Sequence, residues 1–289
     1  MLMDDTQIES YSKKRIRWGS IGFFIALALT AAIGIPIYVH FSGWRRADLV
    51  LFAVYAFLTT LGVTAGYHRF YSHRAFKANP VLQFLFLFFG AGAVQQPALK
   101  WAALHRQHHR YTDTARDPYN IKQGFFHAHM GWLLFHKYAV DYEGVKDLEE
   151  SALVRNQQKY FQVWAFTSGV AVPLLIGALY GSVIGGFLFG VCLRLSVVYQ
   201  STFFINSVAH SFGTHKFDTQ TSARDSWICA VLTNGEGYHN FHHRFPSDYR
   251  NGYKWYHWDP TKWFIWAASK ARVTTDLRRT PAQQIADLS

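Results

Sequence analysis

Apolar and polar residues are segregated along this chain into long blocks, and the blocks predict its elements. An apolar stretch from Trp18 to Phe41 follows a basic flank of Lys13, Lys14, Arg15 and Arg17. At about 1.5 Å of rise per residue, a helix of that length crosses a hydrocarbon layer of about 30 Å. It is too long for the core of a signal peptide and lacks a small-residue cleavage pattern. Comparable stretches cover 49–66, 161–180 and 182–205, the last two joined by a charge-free turn at Tyr180–Gly181. The pattern predicts four transmembrane helices, with Pro173 as a candidate kink in the third. Arg194 interrupts the fourth, and an ionisable side chain at that depth is expected to face a cavity or a partner.

Val81–Leu99 breaks the pattern. Its continuous apolar core, Phe84–Val94, is too short to span, and Gln95, Gln96 and Pro97 follow it. If it crossed, His68 and His105 on its two flanks would lie on opposite faces of the membrane and could not share a site. The segment is therefore expected to be re-entrant, interfacial or packed against the polar part. Residues 67–160 and 206–289 then gather on one side as a helical cap, and 1–289 reads as a single all-α integral membrane domain. The basic N-terminal flank places the cap and both termini in the cytosol, although Arg45 and Arg46 in the first loop oppose that bias. The dense Trp and Tyr of 255–266 suit either a surface at headgroup level or a packed cap core. The basic tail 267–289 is expected to be a solvated helix near the lipid.

A net charge of +11 in a soluble protein would raise nucleic acid as a partner. Here the basic residues crowd the ends of apolar segments, so an anionic leaflet and an anionic substrate or electron donor are the better readings. Only two cysteines, Cys192 and Cys229, are present, which excludes a disulfide framework and disfavours thiolate-bound zinc or iron–sulfur clusters.

The candidate chemistry is carried by histidine. His105, His108 and His109 in KWAALHRQHHRYTDT are three and four residues apart, so all three are expected to point at one spot from one helix face. The spacing recurs at His239, His242 and His243 in HNFHH; His68 and His73 stand in HRFYSH and His210 in NSVAH. Nine imidazoles are too many for one four-coordinate zinc and ask for two metal ions. His40, His127, His129, His136, His215 and His257 are expected not to be ligands. Imidazole-rich, thiolate-free sites suit iron, which supplies the redox chemistry needed to attack an unactivated C–H bond. Two such metals beside apolar helices suggest oxygen chemistry on a lipidic substrate. A membrane metal carrier is the non-enzymatic alternative, but carriers place ligands along a path within the spans, whereas these follow the spans on one side.

HRFYSH, HRQHHRYTDTARDPY, NSVAH and GEGYHNFHHRFPSDYRNGYKWY, with GFFHAHMGWLL and KDLEES between them, resemble the membrane-bound acyl-CoA desaturases of the stearoyl-CoA Δ9 type. The similarity runs from roughly residue 45 to 275. The resemblance implies a four-span, mushroom-shaped α protein whose cytosolic cap holds two Fe ions. Such a protein uses O2 and two electrons to place a cis double bond in a saturated C16–C18 acyl thioester, acyl-CoA first among the carriers. It implies His68, His73, His105, His108, His109, His210, His239, His242 and His243 as ligands, and Asn206 as a group approaching one metal through water. It implies Gln95, Trp101 and Thr202 as residues that bend the acyl tunnel. Two departures bear on the headgroup. An Arg-Asp pair of the animal enzymes is replaced by Ala103 and Leu104, and a later Arg-Lys pair by His136 and Lys137, so Lys137 alone keeps its charge. Another thioester carrier or a lipid-esterified chain stays open as substrate, and related lipid hydroxylases share the histidine boxes. The sequence shows no fused cytochrome b5 domain, so the expected electron donor acts in trans: cytochrome b5, ferredoxin or rubredoxin, with a reductase.

Overall fold

The computed structural model describes residues 12–288; the expected cytosolic location of the extreme termini concerns residues outside that range. Among the described residues, four helices are long and apolar enough to cross a membrane: Trp18–Ser42, Arg46–Ser72, Phe161–Leu179 and Val183–His210. They match the four predicted stretches, with one informative difference. The second helix runs to Ser72 instead of ending near residue 66, so His68 lies in its last turns and does not follow it in a loop. Tyr67, His68, Arg69 and Ser72 are all buried there, and burial against the cap keeps these polar turns helical past the apolar stretch. The fourth helix likewise continues to His210.

The winding is not uniform. Gly62–Ser72, Thr167–Ala171 and Gly186–Leu193 adopt the wider π form. In the third span the wide turn falls directly before Pro173, whose missing N–H cannot serve the carbonyl four residues earlier. The irregularity expected at Pro173 is thus local rewinding.

The ambiguous segment forms the helix Pro80–Gly92, started by Asn79, whose Oδ1 accepts from Leu82 N at 2.9 Å. Its 13 residues reach only about 20 Å, short of a bilayer. It packs on the second span where glycine permits close approach. A Cβ on Gly62 would lie 2.4 Å from Gly90 N, and one on Gly66 would lie 2.6 Å from Phe86 Cβ. This packing leaves His68 and His105 on the same side.

The far ends of all four spans are tied by one carboxylate. Asp48 accepts from Tyr38 Oη at 2.8 Å and Tyr180 Oη at 2.7 Å, and Ser182 Oγ lies 2.6 Å from Tyr38 Oη. At the other end the cap buries Tyr67, Ala98, Ala102, Val145, Val154 and Ile265 in a common core. The aromatic segment is surface: Trp255 is 86% exposed and Trp266 47%. In the helix Pro260–Lys270, Ile265 alone of the large side chains is fully inside. The tail departs from the expected helix. Its first residues end the helix Pro260–Lys270, Thr274–Thr275 then pairs as a strand with Lys77–Ala78, and beyond Lys270 only Ala282–Ala286 is helical among the described residues.

Candidate metal centre

Two short helices and the ends of two spans deliver the nine histidines. Ala98–Tyr111 carries His105, His108 and His109; His239–Arg244 carries His239, His242 and His243. His68 comes from the last turns of the second span, His73 directly follows it, and His210 ends the fourth. The helix Ala98–Tyr111 is anchored at its start by Gln157 Oε1, which accepts from Ala98 N at 2.9 Å, one of the donors a helix leaves unpaired.

The nine form two groups. His68, His73, His105, His109 and His242 each offer a ring nitrogen within 4.8 Å of the others; so do His108, His210, His239 and His243. The expectation that each H-x-x-H-H box points at one spot is corrected here. In both helices the i, i+4 pair goes to one group and the i+3 residue to the other. An i+4 neighbour is rotated by about 40° and an i+3 neighbour by about 60° the opposite way, so each helix reaches into both groups.

Ring nitrogens meet across each group at distances that fit a shared cation. Nε2 to Nε2 is 2.7 Å for His73–His105, 3.0 Å for His68–His242 and His109–His242, and 3.1 Å for His239–His243. The outward nitrogens of three rings have fixed acceptors. His68 Nδ1 donates to Glu236 at 2.6 Å, His108 Nδ1 to Asp117 at 2.8 Å, and His210 Nδ1 to Ser222 Oγ at 2.7 Å. This leaves Nε2 of each ring unprotonated and turned inward, the tautomer a metal ligand needs. His210 Nε2 is buried with no partner of its own. Burial, and then the neighbouring imidazoles, push His73, His105, His109, His239, His242 and His243 well below the usual histidine range. All six are therefore neutral near pH 7. Two thiolate-free groups of imidazoles whose ring nitrogens converge, with His210 Nε2 left without a partner, fit metal ions, and the structure is compatible with a metal centre.

The carboxylates behind these rings were not singled out from sequence. Asp117 and Glu236 are both buried; burial pushes each carboxyl up, but the groups around it more than offset this and hold it below the usual carboxylate range. For Asp117 the opposing groups are His108 and the amides of Asp113 and Tyr119; for Glu236 they are Arg69 and His68. Arg69 is itself buried and bridges Glu236 at 2.8 Å and Asp259 at 3.0 Å. The available signal was an acidic residue close to each box: Asp117 nine residues after His108, Glu236 three before His239.

A cavity of about 290 Å³ reaches the imidazoles of His68, His105, His108 and His239. Gln95, Trp101, Thr202 and Asn206 all line it. Gln95 Nε2 donates to Thr202 Oγ1 at 2.8 Å, and the Trp101 ring stacks on His105 at 5.0 Å. Lys137 is not among the described residues that line it. It sits in the strand His136–Tyr138, paired with Ser12–Lys14. Burial, followed by the charges of Arg17 and Lys137, lowers the Lys100 ammonium from its usual range, so the three cations are neighbours. Ala103 and Leu104 are buried. None of the six histidines set aside from sequence belongs to either group.

The profile of the fatty acid desaturase family matches residues 47–276. The chain is 39% identical over 273 residues to the probable acyl-CoA desaturase of Schizosaccharomyces pombe, covering 93% of this chain and 57% of that protein. It is 39% identical over 263 residues to acyl-CoA desaturase 1 of Saccharomyces cerevisiae, covering 88% and 51%. Against stearoyl-CoA desaturase 5 of Bos taurus it is 35% identical over 244 residues, covering 82% and 73%. The chain thus spans about half the length of the two yeast relatives. With the profile matched across most of its length, the chain belongs to the fatty acid desaturase family.

Proposed function

We propose that the chain is a membrane di-iron enzyme that uses O2 to place a cis double bond, at Δ9, in a saturated C16–C18 acyl thioester, with acyl-CoA as carrier. One observation carries the reading: an apolar cavity ends on the imidazoles. Phe23, Phe24, Val63, Leu133 and Phe203 line its walls, and His68, His105, His108 and His239 close it. An alkyl chain offers no polar handle, so a site for it must select by shape and apolar burial.

In this reading the nine histidines hold two iron ions and Asn206 approaches one through water. Bound iron supplies the redox chemistry that no side chain can direct at an unactivated C–H bond. Glu236, Asp117 and Ser222 hold three ligand tautomers in place. The Gln95–Thr202 hydrogen bond bars the cavity with a polar pair, and Trp101, fixed against His105, leaves the chain one way past it. The bend so formed selects the carbon presented to the histidines. Arg17, Lys100 and Lys137 form the cationic group that meets a phosphate-bearing carrier, in place of the charges missing at Ala103 and Leu104. Electrons come from a small carrier of the cytochrome b5, ferredoxin or rubredoxin class with its reductase. The cap faces the cytosol, the loops near Gly43 and Gly181 face away, and the whole chain acts as one domain.

Gas chromatography of acyl chains from cells expressing the protein tests this. The expected result is monounsaturated C16 or C18 chains with the bond at C9. Hydroxylated chains would make it a hydroxylase, and an unchanged profile would refute the enzymatic reading. A reconstituted assay on stearoyl-CoA tests the carrier; turnover of phospholipid-bound chains alone would replace acyl-CoA.

A further inference from the structure

Arg194 has partners, as a charge at its depth should, but they are not those of a ligand site. It is fully buried, is not among the described residues lining the cavity, and meets no carboxylate among the described residues. Its guanidinium donates to three backbone carbonyls: Gly190 O at 2.7 Å, Gly169 O at 2.6 Å and Gly92 O at 2.5 Å. Two of the three are acceptors that helix geometry leaves short. Gly169 lies four residues before Pro173, which has no N–H to give it. Gly92 ends the helix Pro80–Gly92, where the last carbonyls lack donors and the helix dipole is negative. Gly190 lies in the wide-wound part of the fourth span. Backbone groups at membrane depth need such service from within the protein.

Directly after Gly92 the chain turns through Val94 at φ +57° and Gln96 at φ +93°, both non-glycine residues in the left-handed region. A β-branched residue there is strained, so the turn persists only while its surroundings hold it. The fourth span supplies the hold. Tyr199 Oη donates to Val94 O at 2.6 Å, and Thr202 Oγ1 accepts from Gln95 at 2.8 Å. Val94, Gln95 and Gln96 all face the cavity.

We propose that Arg194 and Tyr199 are positioning residues for regiochemistry: by clamping Gly92 O and Val94 O they fix the strained turn, and with it the Gln95–Thr202 bar that decides which carbon meets the histidines. The inference rests on the desaturase reading above. Both residues act through backbone carbonyls; Arg194 is not among the described residues lining the cavity, whereas the Tyr199 ring also lines it and is kept in Tyr199→Phe.

Two variants of the full chain test it. Tyr199→Phe removes one hydroxyl and keeps the ring; Arg194→Lys keeps the charge and loses the fork that reaches several carbonyls. Two readouts are taken: hydrogen exchange of residues 92–97 in the purified protein, and double-bond position in acyl chains of expressing cells. Loss of one hydrogen bond to a buried carbonyl raises exchange in the turn on the order of ten-fold, while residues 80–90 keep wild-type rates. Products spread to neighbouring carbons, and turnover at the original carbon falls by up to about 10²-fold. Unchanged exchange in both variants overturns the clamp. Raised exchange with a single, unshifted double bond overturns its tie to regiochemistry. A wild-type protein that makes no unsaturated product refutes the desaturase reading instead, and exchange then decides the clamp alone. If Arg194→Lys does not fold, Tyr199→Phe carries both readouts.

Discussion

Asp117→Asn separates the two histidine groups, because Asp117 touches only one of them. Its Oδ1 accepts from His108 Nδ1 at 2.8 Å and from Tyr119 N at 2.9 Å, and its Oδ2 accepts from Asp113 N at 3.0 Å. All three partners are donors. Asparagine keeps the shape but turns one acceptor into an NH2, which must then face a donor. The amide oxygen stays with His108 and Tyr119, where it keeps two bonds, and the contact with Asp113 N becomes a donor–donor clash. An unserved buried donor costs about 1–3 kcal/mol of folding stability. His108 also loses the charge that makes its ring more basic toward a metal, and removal of such an outer partner costs about 10- to 100-fold in affinity. That is about 1.4–2.8 kcal/mol. The loss falls on the group of His108, His210, His239 and His243, with the five-histidine group spared. Competition with a graded series of chelators, read by metal analysis, should therefore show one metal per chain leaving about 10- to 100-fold more easily and the other leaving as in wild type. Equal weakening of both sites, or of neither, would refute the assignment of Asp117 to a single group.

Glu236→Gln should be the more destabilising change, since it removes one of the two charges neutralising buried Arg69 and leaves a single oxygen where one served Arg69 and the other His68 and Asn251. Asp259 still pairs with Arg69, which sets the expected cost at about 3 kcal/mol, the low end for a broken buried pair. A melting temperature within a degree of wild type would contradict it. His127 gives a pH dependence distinct from that of the ligands. Burial, then the charge of His136, holds it down from 6.5 to about 4. Between those values the folded state binds fewer protons than the unfolded chain, so this contribution is full above pH 6.5 and is lost as pH falls toward 4. Melting between pH 7 and 5 should fall less steeply in His127→Gln than in wild type, and parallel slopes would count against the reasoning. Topology is checked with a single added cysteine at Gln123. An impermeant reagent applied to intact cells should leave it unlabelled until the membrane is opened, and labelling from outside would invert the proposed orientation.

The sequence alone determined four spans, because a bilayer admits only long apolar helices and the chain has four stretches of that kind. It also determined that nine histidines must gather, and that a helix between His68 and His105 could not cross. Residue spacing along a helix carried the site no further than two boxes and two outliers. Which imidazoles stand together was decided by how Ala98–Tyr111 and His239–Arg244 face each other, which splits each box between both groups. The carboxylates were equally silent: Asp117 and Glu236 look like ordinary loop acids until packing buries them behind His108 and His68. Arg194 shows the same division most clearly. Its position in an apolar stretch announced a partner, but the partners are carbonyls of Gly92 and Gly169, 102 and 25 residues away. Every residue has a carbonyl, so no sequence pattern can mark the one that a distant proline or a helix end has left unserved. Only the tertiary structure brings it within reach of a donor.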